Sequence, residues 1–400
     1  MLIKIDDTII QYLEKNYQSL DSQSQEIKSL NNIAKAFYEG YHTISASLEV
    51  LEFLTKLDIL EYTSKYVYSH LLSKFTFLPA YESFCTDYIL VKGSDLNFSR
   101  IETDNNCIFE VPLKYFTGFM AAGPTTLISE DISDCIFYEK LARKYIEENR
   151  QRININLCFD HTPGNGDGTY RIYKHKIEAN RITLAIADSD KTYPEDNIGE
   201  TLLKLKNTYN DYKDNTVTSL IGLNVREKEN LISPSLYLMC TNSGSKASLE
   251  KLLKVETSSE LNIFLKYMDL KDGIKAKSLK GNENRRKYFE DLFKEFSDLT
   301  ACSYEEIDDQ EDDFSIISGI GRSFENFLND VLDEGLEKKL DEKRKVAEEL
   351  NIPEEIIVNL EKIIAMKNNL FEYVPEYLKE EWENLCQKIV SWGCCPGPLA

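Results

Sequence analysis

The chain has 400 residues and a formal net charge of −21, with 42% hydrophobic and 29% charged residues, as is ordinary for a soluble globular protein. So acidic a chain is a poor candidate for coating nucleic acid nonspecifically, because such binding depends on basic surface, but a local basic groove is compatible with it. No apolar run approaches the roughly 20 residues of a membrane helix and the first residues lack a signal-peptide pattern, so we expect a cytoplasmic protein of about two to three domains without membrane contact.

Residues 1–120 are expected to form a mainly helical N-terminal domain. Apolar residues recur at helical spacing in TIIQYLEKNY (8–17), in NNIAKAFYEGYHTISASLEVLEFLTKL (31–57) and in ILEYTSKYVYSHLLSKF (59–75). Two later segments, YILVKG (88–93) and CIFEVPLKYF (107–116), fit short strands. The sequence therefore predicts helices first and a little β-structure towards residue 120.

Residues 121–245 show strands alternating with helices. The predicted strands are TTLIS (125–129), INLCF (155–159), ITLAIA (182–187) and TSLIGLNV (218–225), and the predicted helices are DISDCIFYEKLARKYIEEN (131–149) and IGETLLKLKNTYNDYK (198–213). Such alternation is typical of an α/β fold with a parallel sheet and crossover helices. Residues 246–400 again follow helical patterns, so we expect a helical C-terminal domain.

Carboxylates follow two of these predicted strands. Glu130 comes directly after TTLIS, and Asp188 and Asp190 come after ITLAIA. Reactive groups gather at the carboxyl ends of the strands in an open parallel sheet, and residues two apart in an extended chain project to the same side. If the two strands are neighbours, the three side chains converge on a metal of the Mg²⁺ type, which prefers oxygen ligands. The alternative is that such acids, Asp131 and Asp134 included, are helix N-caps.

The order of a glutamate after the first strand and Asp-x-Asp after the third resembles the Toprim domain. LISEDISDCIFYEKLA and IADSDKTYPEDNIGET resemble the two acidic motifs of Toprim-like nucleases in bacterial antiphage defence, which are relatives of the overcoming-lysogenization-defect type, and NVREKENLISP resembles a following segment. The resemblance covers about residues 120–240 and implies a central Toprim-like catalytic domain. It departs from many Toprim domains at Asp131, where they have glycine, and this favours the nuclease-like branch over topoisomerases and primases.

The resemblance implies Glu130 as a ligand or general acid/base and Asp188 and Asp190 as ligands of Mg²⁺ or Mn²⁺, with Asp134 and Glu229 as weaker ligand candidates. It also implies a nucleic-acid partner at a local groove. A protein partner or self-association is a further expectation, since an unrestrained nuclease would harm its host.

A glycine-rich loop and nearby lysines are candidate substrate contacts. GNGDGTY (164–170) is not a P-loop, since the pattern Gly-x-x-x-x-Gly-Lys-Ser/Thr is absent, and it is not a dinucleotide fingerprint, because no suitable helix is evident after it. Gly166 and Gly168 would let the backbone approach a phosphate, and Lys174 and Lys176 follow in a basic segment. A plain flexible turn is an equal alternative, and Lys191, after the Asp-x-Asp, is either a phosphate ligand or a surface lysine.

Two functions from different classes follow from these observations. The first is a Mg²⁺-dependent nuclease that hydrolyses phosphodiester bonds of DNA or RNA as an antiphage effector. The second is a non-catalytic or partner-activated regulatory protein built on a Toprim scaffold. A phosphotransferase or nucleotide hydrolase is a third and weaker reading, because a P-loop is missing.

Overall fold

The structure, a computed structural model, describes residues 1–103, 106–150, 155–240, 246–321, 324–350 and 354–397. It is a mixed α/β fold with parallel sheets. The chain divides into two compact units, the first comprising Met1–Ala187, Glu200–Ile221 and Asn384–Ala400, and the second Asp188–Gly199 and Gly222–Glu383. This division follows contacts in space, whereas the sequence-based boundaries at residues 120 and 245 mark changes of pattern along the chain.

The first unit begins with a five-stranded sheet. Its strands are β1 (Leu2–Ile5), β2 (Thr43–Ala46), β3 (Asp87–Lys92), β4 (Ser99–Glu102) and β5 (Cys107–Pro112), in the order β2-β1-β3-β5-β4. All neighbours are parallel except β4, which is antiparallel to β5. The helices that accompany it are α1 (Thr8–Asn16), α2 (Gln25–Tyr38), α3 (Leu48–Lys56), α4 (Tyr62–Ser73) and α5 (Leu78–Phe84).

The helical prediction for residues 8–75 is confirmed except where strand β2 interrupts it, and strand β1, before residue 8, was not predicted. The helix predicted across 31–57 ends at Tyr38, and β2 follows Gly40, whose φ of 75° suits the left-handed residue after a helix. β1 and β2 are four residues long, too short for a two-residue period to stand out, and nearly all their residues are buried. The two strands predicted at 88–93 and 107–116 are confirmed as β3 and β5.

A second sheet of the first unit follows the predicted alternation of strands and helices. It contains β6 (Thr125–Ser129), β8 (Phe159–Pro163), β9 (Thr183–Ala187) and β10 (Thr218–Gly222) in the order β10-β9-β6-β8, with β6 parallel to both β8 and β9. Its helices are α6 (Ile132–Glu148), α7 (Thr169–Glu178) and α8 (Glu200–Tyr212). Every residue of β6 and β9 is buried, which explains their continuous apolar runs.

Two local predictions in this sheet are corrected. Strand β8 runs on through Asp160–Pro163, beyond the strand predicted at 155–159 and up to the glycine-rich loop. A helix, α7, does begin directly after that loop, at Thr169, although none was expected from the sequence. Its basic residues concealed it, because only Thr169, Tyr173 and Ile177 of its ten residues are buried.

The end of the chain returns to the first unit. The two-residue strand β13 (Cys394–Cys395) pairs antiparallel with β7 (Asn156–Leu157). The buried carboxylate of Asp87 in β3 accepts hydrogen bonds from Trp392 Nε1 at 2.7 Å and Lys388 Nζ at 2.6 Å. Thr125, in β6 of the other sheet, donates to the carbonyl oxygen of Trp392 at 2.7 Å. Trp392 therefore bonds to both sheets.

The second unit is mainly helical. Its helices are α9 (Pro234–Tyr237), α10 (Lys246–Thr257), α11 (Ala276–Lys280), α12 (Glu283–Tyr288), α13 (Glu290–Glu295), α14 (Phe324–Asp330), α15 (Gly335–Leu350) and α16 (Glu354–Lys367), and α17 (Glu376–Gly393) begins in it. An antiparallel pair, β11 (Gly273–Lys275) and β12 (Ser315–Ser318), was not predicted. No helix among the described residues combines the length and apolarity needed to cross a bilayer.

Candidate functional site

The strands that precede the candidate acids are direct neighbours in the second sheet. Leu127 of β6 pairs with Leu184 of β9 in parallel register, and Ser129 Oγ donates to the carbonyl oxygen of Ile186 at 2.9 Å. The two strands thus end side by side at one edge of the sheet. Glu130 follows β6 in the chain, and Asp188 follows β9.

The glycine-rich loop packs against the backbone at Glu130. The amide of Asn165 donates to the carbonyl oxygen of Glu130 at 3.0 Å, and the amide of Gly164 donates to that of Ser129 at 2.7 Å. Asn165 has φ of 61° and Gly166 has φ of 60°, so both adopt the left-handed conformation. The structure therefore brings the turn containing Gly166 and Gly168 to the same edge of the sheet as Glu130.

Asp134 holds the start of helix α6. Its Oδ2 accepts a hydrogen bond from the amide of Asp131 at 3.0 Å, and the side chain of Asp131 accepts one from the amide of Asp134, which completes a capping box. Asp131 Oδ1 also accepts a hydrogen bond from the amide of Ser133 at 2.8 Å. Ser129 Oγ also donates to Asp134 at 3.4 Å. These contacts give Asp134 and Asp131 the helix-capping role that the sequence left open as an alternative.

The Asp188-Ser189-Asp190 turn belongs to the second unit, where it is bound to residues 225–228. Ser189 Oγ donates to the carbonyl oxygen of Val225 at 2.6 Å, and the amide of Asp190 donates to that of Arg226 at 2.9 Å. Asp188 Oδ1 accepts a hydrogen bond from the amide of Lys228 at 3.0 Å. The 225–228 segment therefore fixes the backbone of the turn and one carboxylate oxygen of Asp188.

Asp190 departs from the extended geometry expected of it. Strand β9 ends at Ala187, and Asp190 has φ of 55°, so the expectation that an extended chain projects both aspartates to the same side is wrong. The chain turns here because the Asp190 amide binds the 226 carbonyl instead of a strand neighbour. Left-handed backbone at a residue with a side chain is uncommon and clusters at functional sites.

Lys191 and Glu229 have other surroundings in the second unit. Lys191 Nζ donates to the carbonyl oxygen of Pro194 at 3.0 Å, within its own loop. Burial raises the pKa of Glu229, and the charge of Lys228 partly offsets this rise. A buried carboxylate with a raised pKa is the kind of group found at functional sites, although structural networks raise pKa values too.

Lys174 and Lys176 lie on helix α7, away from its start. Lys174 lies near Glu178, with Nζ 3.9 Å from Oε1. Lys176 Nζ lies 3.4 Å from Asp160 Oδ2, and Asp160 pairs with Thr126 near the amino end of β6. The structure therefore does not bring Lys176 to the edge where β6 ends and Glu130 follows.

The fit of a divalent metal depends on these carboxylates. Among the described residues, no three His, Cys, Asp or Glu side chains converge closely enough to form a metal site by themselves. Asp188 and Asp190 nevertheless supply hard oxygen donors on one short, fixed turn. Mg²⁺ is commonly held by one or two carboxylates together with waters and substrate phosphates. The donor set on this turn fits that mode of binding.

Arg226 is a functional candidate that the sequence reasoning missed. Its side chain is 16% exposed, with Nη2 3.1 Å from Asp269 Oδ2 and Nε 3.0 Å from Glu227 Oε1, and its carbonyl oxygen binds the Asp190 amide. The charge of Arg226 in turn contributes to lowering the pKa of Arg285, on α12. The arginine within NVREKEN was a visible signal for the first, whereas nothing in the local sequence marks the second.

Comparison with known proteins identified no relative of this chain. No protein-family model matches the chain, and neither the curated proteins nor the solved structures compared with it gave a match.

Proposed function

We propose that the protein is a Mg²⁺-dependent nuclease of the Toprim type that hydrolyses phosphodiester bonds of DNA or RNA, acting as an effector in antiphage defence. The observation that carries this proposal is the pairing of β6 with β9, because it makes neighbours of the two strand ends that Glu130 and Asp188 follow. The fixed Asp188-Ser189-Asp190 turn and its left-handed Asp190 support it.

The proposed roles divide between the acids. Asp188 and Asp190 would hold the metal, which supplies Lewis-acid stabilisation of phosphoryl charge and a more acidic water. Glu130 would accept a proton from the attacking water or deliver one to the leaving oxygen. The amide of Lys228 keeps one oxygen of Asp188 in place, and Gly166 and Gly168 allow close backbone approach to a phosphate near Glu130.

The test is cleavage of plasmid DNA and of a structured RNA by the pure protein in Mg²⁺, Mn²⁺ and EDTA. Glu130→Gln, Asp188→Asn and Asp190→Asn should each lower the rate at least about 100-fold, on the scale of lost general acid/base or metal chemistry. Glu147→Gln and Asp211→Asn, at exposed positions in the last turns of α6 and α8, are the matched controls. Cleavage that survives all three site substitutions refutes the assignment.

A regulatory module on the same scaffold is the second candidate. It is favoured by the finding that, within the described part of the chain, no trio of potential ligands converges. Calorimetric titration with Mn²⁺ separates the two. If the wild-type protein binds Mn²⁺ and Asp188→Asn and Asp190→Asn abolish this binding, the result supports the nuclease. If the wild-type protein does not bind Mn²⁺, the result supports the regulatory module.

A further inference from the structure

Arg285 is a buried cation whose side chain has no partner among the residues that the structure describes. It lies on helix α12 with an exposed fraction of 8%, and its Nε has no hydrogen-bond partner among the described residues. Within the same described part of the chain, its side chain makes no ion pair. Its backbone is bonded on both sides: the amide donates to Asn282 Oδ1 at 3.0 Å, and the carbonyl oxygen accepts from the amide of Phe289 at 3.1 Å.

An unpaired buried guanidinium is unfavourable, because burial removes its hydration. Burial lowers the pKa of Arg285 to about 10, Arg226 acts in the same direction, and Asp269 and Asp196 oppose the shift. The side chain therefore stays charged at neutral pH. Both carboxylates are occupied: Asp269 Oδ2 pairs with Arg226 Nη2 at 3.1 Å, and Asp196 accepts hydrogen bonds from Thr192.

The position of this cation links it to the Asp-Ser-Asp turn. Asp196, whose charge acts on Arg285, belongs to the loop 188–199 that begins with Asp188 and Asp190. Arg226, whose positive charge acts on Arg285, binds the amide of Asp190 through its carbonyl oxygen. All of these residues belong to the second unit.

A cavity of about 640 Å³ in the second unit is lined by residues of the same helix and the same loop. Tyr288, the last residue of α12, lines it together with Tyr193, Phe264 and Lys287, and the acidic residues Glu195 and Asp291 line it as well. The buried hydroxyl of Tyr288 also has no partner among the described residues. Aromatic rings beside cations form the kind of surface on which nucleic-acid bases stack.

We propose that Arg285, reinforced by the charge of Arg226, binds a backbone phosphate of a single-stranded nucleic acid, with an adjacent base entering the cavity lined by Tyr288. The guanidinium suits this ligand because its planar fork matches two phosphate oxygens. This deepens the proposed function and rests on it. It assigns substrate binding to α12, which lies outside the segment that resembles a Toprim domain.

The experiment measures binding separately from cleavage. Fluorescence anisotropy follows a labelled single-stranded oligonucleotide of about 20 nucleotides bound by the full chain, in EDTA and in Ca²⁺, over a series of salt concentrations. Arg285→Met should weaken binding at least about ten-fold and reduce the salt slope by about one. Lys277→Gln, at an exposed position of neighbouring α11, removes a charge outside the site and should change the affinity less than about two-fold, as for an isolated rim charge.

Stability distinguishes a binding role from a structural one. If Arg285 lacks a protein partner, Arg285→Met removes an uncompensated buried charge, so the free protein should unfold at a higher urea concentration while its binding weakens. A variant that unfolds at a lower urea concentration, or one that binds with wild-type affinity and salt slope, overturns the proposal. Wild-type binding without any cleavage would instead count against the nuclease assignment alone.

The source of the phosphate is tested by competition. Unlabelled oligonucleotide should displace the probe at concentrations far below those of thymidine monophosphate or inorganic phosphate. If the mononucleotide competes as well as the oligonucleotide, and Arg285→Met abolishes this competition, the site belongs to a nucleotide and the nucleic-acid assignment is wrong.

Discussion

The carboxylate of Asp190 occupies the space that a side chain at Gly199 would need. A Cβ built on Gly199 would lie 2.0 Å from Asp190 Oδ2, far inside van der Waals contact. The Gly199 amide also donates to the carbonyl oxygen of Ser189 at 2.8 Å, so the loop closes directly on the Asp-Ser-Asp turn. Glycine at 199 thus leaves room for the side chain of Asp190 beside it.

Gly199→Ala should impair the proposed cleavage without unfolding the protein. The added methyl group forces Asp190 to move, and a displacement on the order of 1 Å in a catalytic group lowers rates about 100-fold. The measurement is Mg²⁺-dependent cleavage together with urea unfolding. Gly118→Ala is the matched control, because a Cβ there meets nothing within 4 Å. Equal rates for the two alanine variants would show that the position of Asp190 is unimportant.

The buried carboxylate of Asp87 joins the end of the chain to the first sheet, and Asp87→Asn should weaken that connection. The substitution removes the ion pair with Lys388. It also replaces the carboxylate that accepts the hydrogen bond of Trp392 Nε1 by a neutral amide, which is a weaker acceptor. Breaking a buried pair of this kind typically costs about 3 kcal/mol of unfolding free energy. Urea unfolding followed by tryptophan fluorescence measures it, since Trp392 contacts the site directly.

A double-mutant cycle checks this assignment. Lys388→Met and the double variant with Asp87→Asn should show a coupling energy of about 1 kcal/mol or more, as residues in one buried network do. Strictly additive changes would show that the Asp87–Lys388 contact adds nothing of its own to stability.

Two properties decide which parts of this fold the sequence predicts: the length of each strand or helix, and the separation along the chain between residues that contact each other. Strands β6 and β9 are visible because five consecutive residues are buried in each. Strand β2 is hidden, because four residues between two helices carry no period of their own. The bond between Asp87 and Trp392 spans 305 residues and leaves no local pattern.

The candidate site shows the same limit. The order of acids along the chain predicts that the two strands before them are neighbours in the sheet. The parallel pairing of β6 with β9 confirms that these strands are neighbours. The left-handed turn at Asp190 depends on the carbonyl of Arg226, which lies 36 residues downstream of it, and no spacing rule specifies that contact. Arg285 lies still further along the chain from Asp190, in a short helix of mostly polar residues. Its burial therefore results from tertiary packing and cannot be predicted from the neighbouring sequence.

Buried His42 should make the stability of the first unit depend on pH. Burial lowers the pKa of His42 well below 6.5, and its Nε2 donates to the carbonyl oxygen of Gly123 at 2.8 Å. A histidine whose folded pKa is lowered contributes stability that is complete above its unfolded pKa of 6.5 and is lost as the pH falls below it, because only the unfolded chain then takes up the proton.

The expected contribution of His42 is a loss that approaches about 1.4 kcal/mol per pH unit below pH 6.5. His42→Gln, whose amide can still donate to Gly123, should flatten the dependence of the urea midpoint on pH between about 7 and 5. The exposed His175→Gln controls for the loss of a histidine elsewhere. A wild-type slope in the His42 variant would contradict the assignment.

Cys85 and Cys394 form a buried thiol pair, with Sγ atoms 3.5 Å apart and 309 residues between them in the chain. The hydrogen bond from Cys85 lowers the pKa of Cys394, so Cys394 is the better nucleophile of the two. Treatment with diamide should therefore link them: the two thiols lose two protons and two electrons, a disulfide forms, and the azo bond of diamide is reduced to a hydrazine.

The linked peptides should appear by mass spectrometry without reductant and vanish in Cys394→Ser. A bond that closes so long a loop should also raise the unfolding free energy by about 3 kcal/mol, chiefly by restricting the unfolded chain. Half-buried Cys302 serves as an internal comparison, because it has no thiol neighbour among the described residues and should be oxidised without forming an intramolecular link. A different dominant linkage would contradict the pairing of Cys85 with Cys394. Oxidation that lowered the urea midpoint would show that the two sulfur atoms cannot approach without distorting the end of the chain, where Trp392 bonds to both sheets.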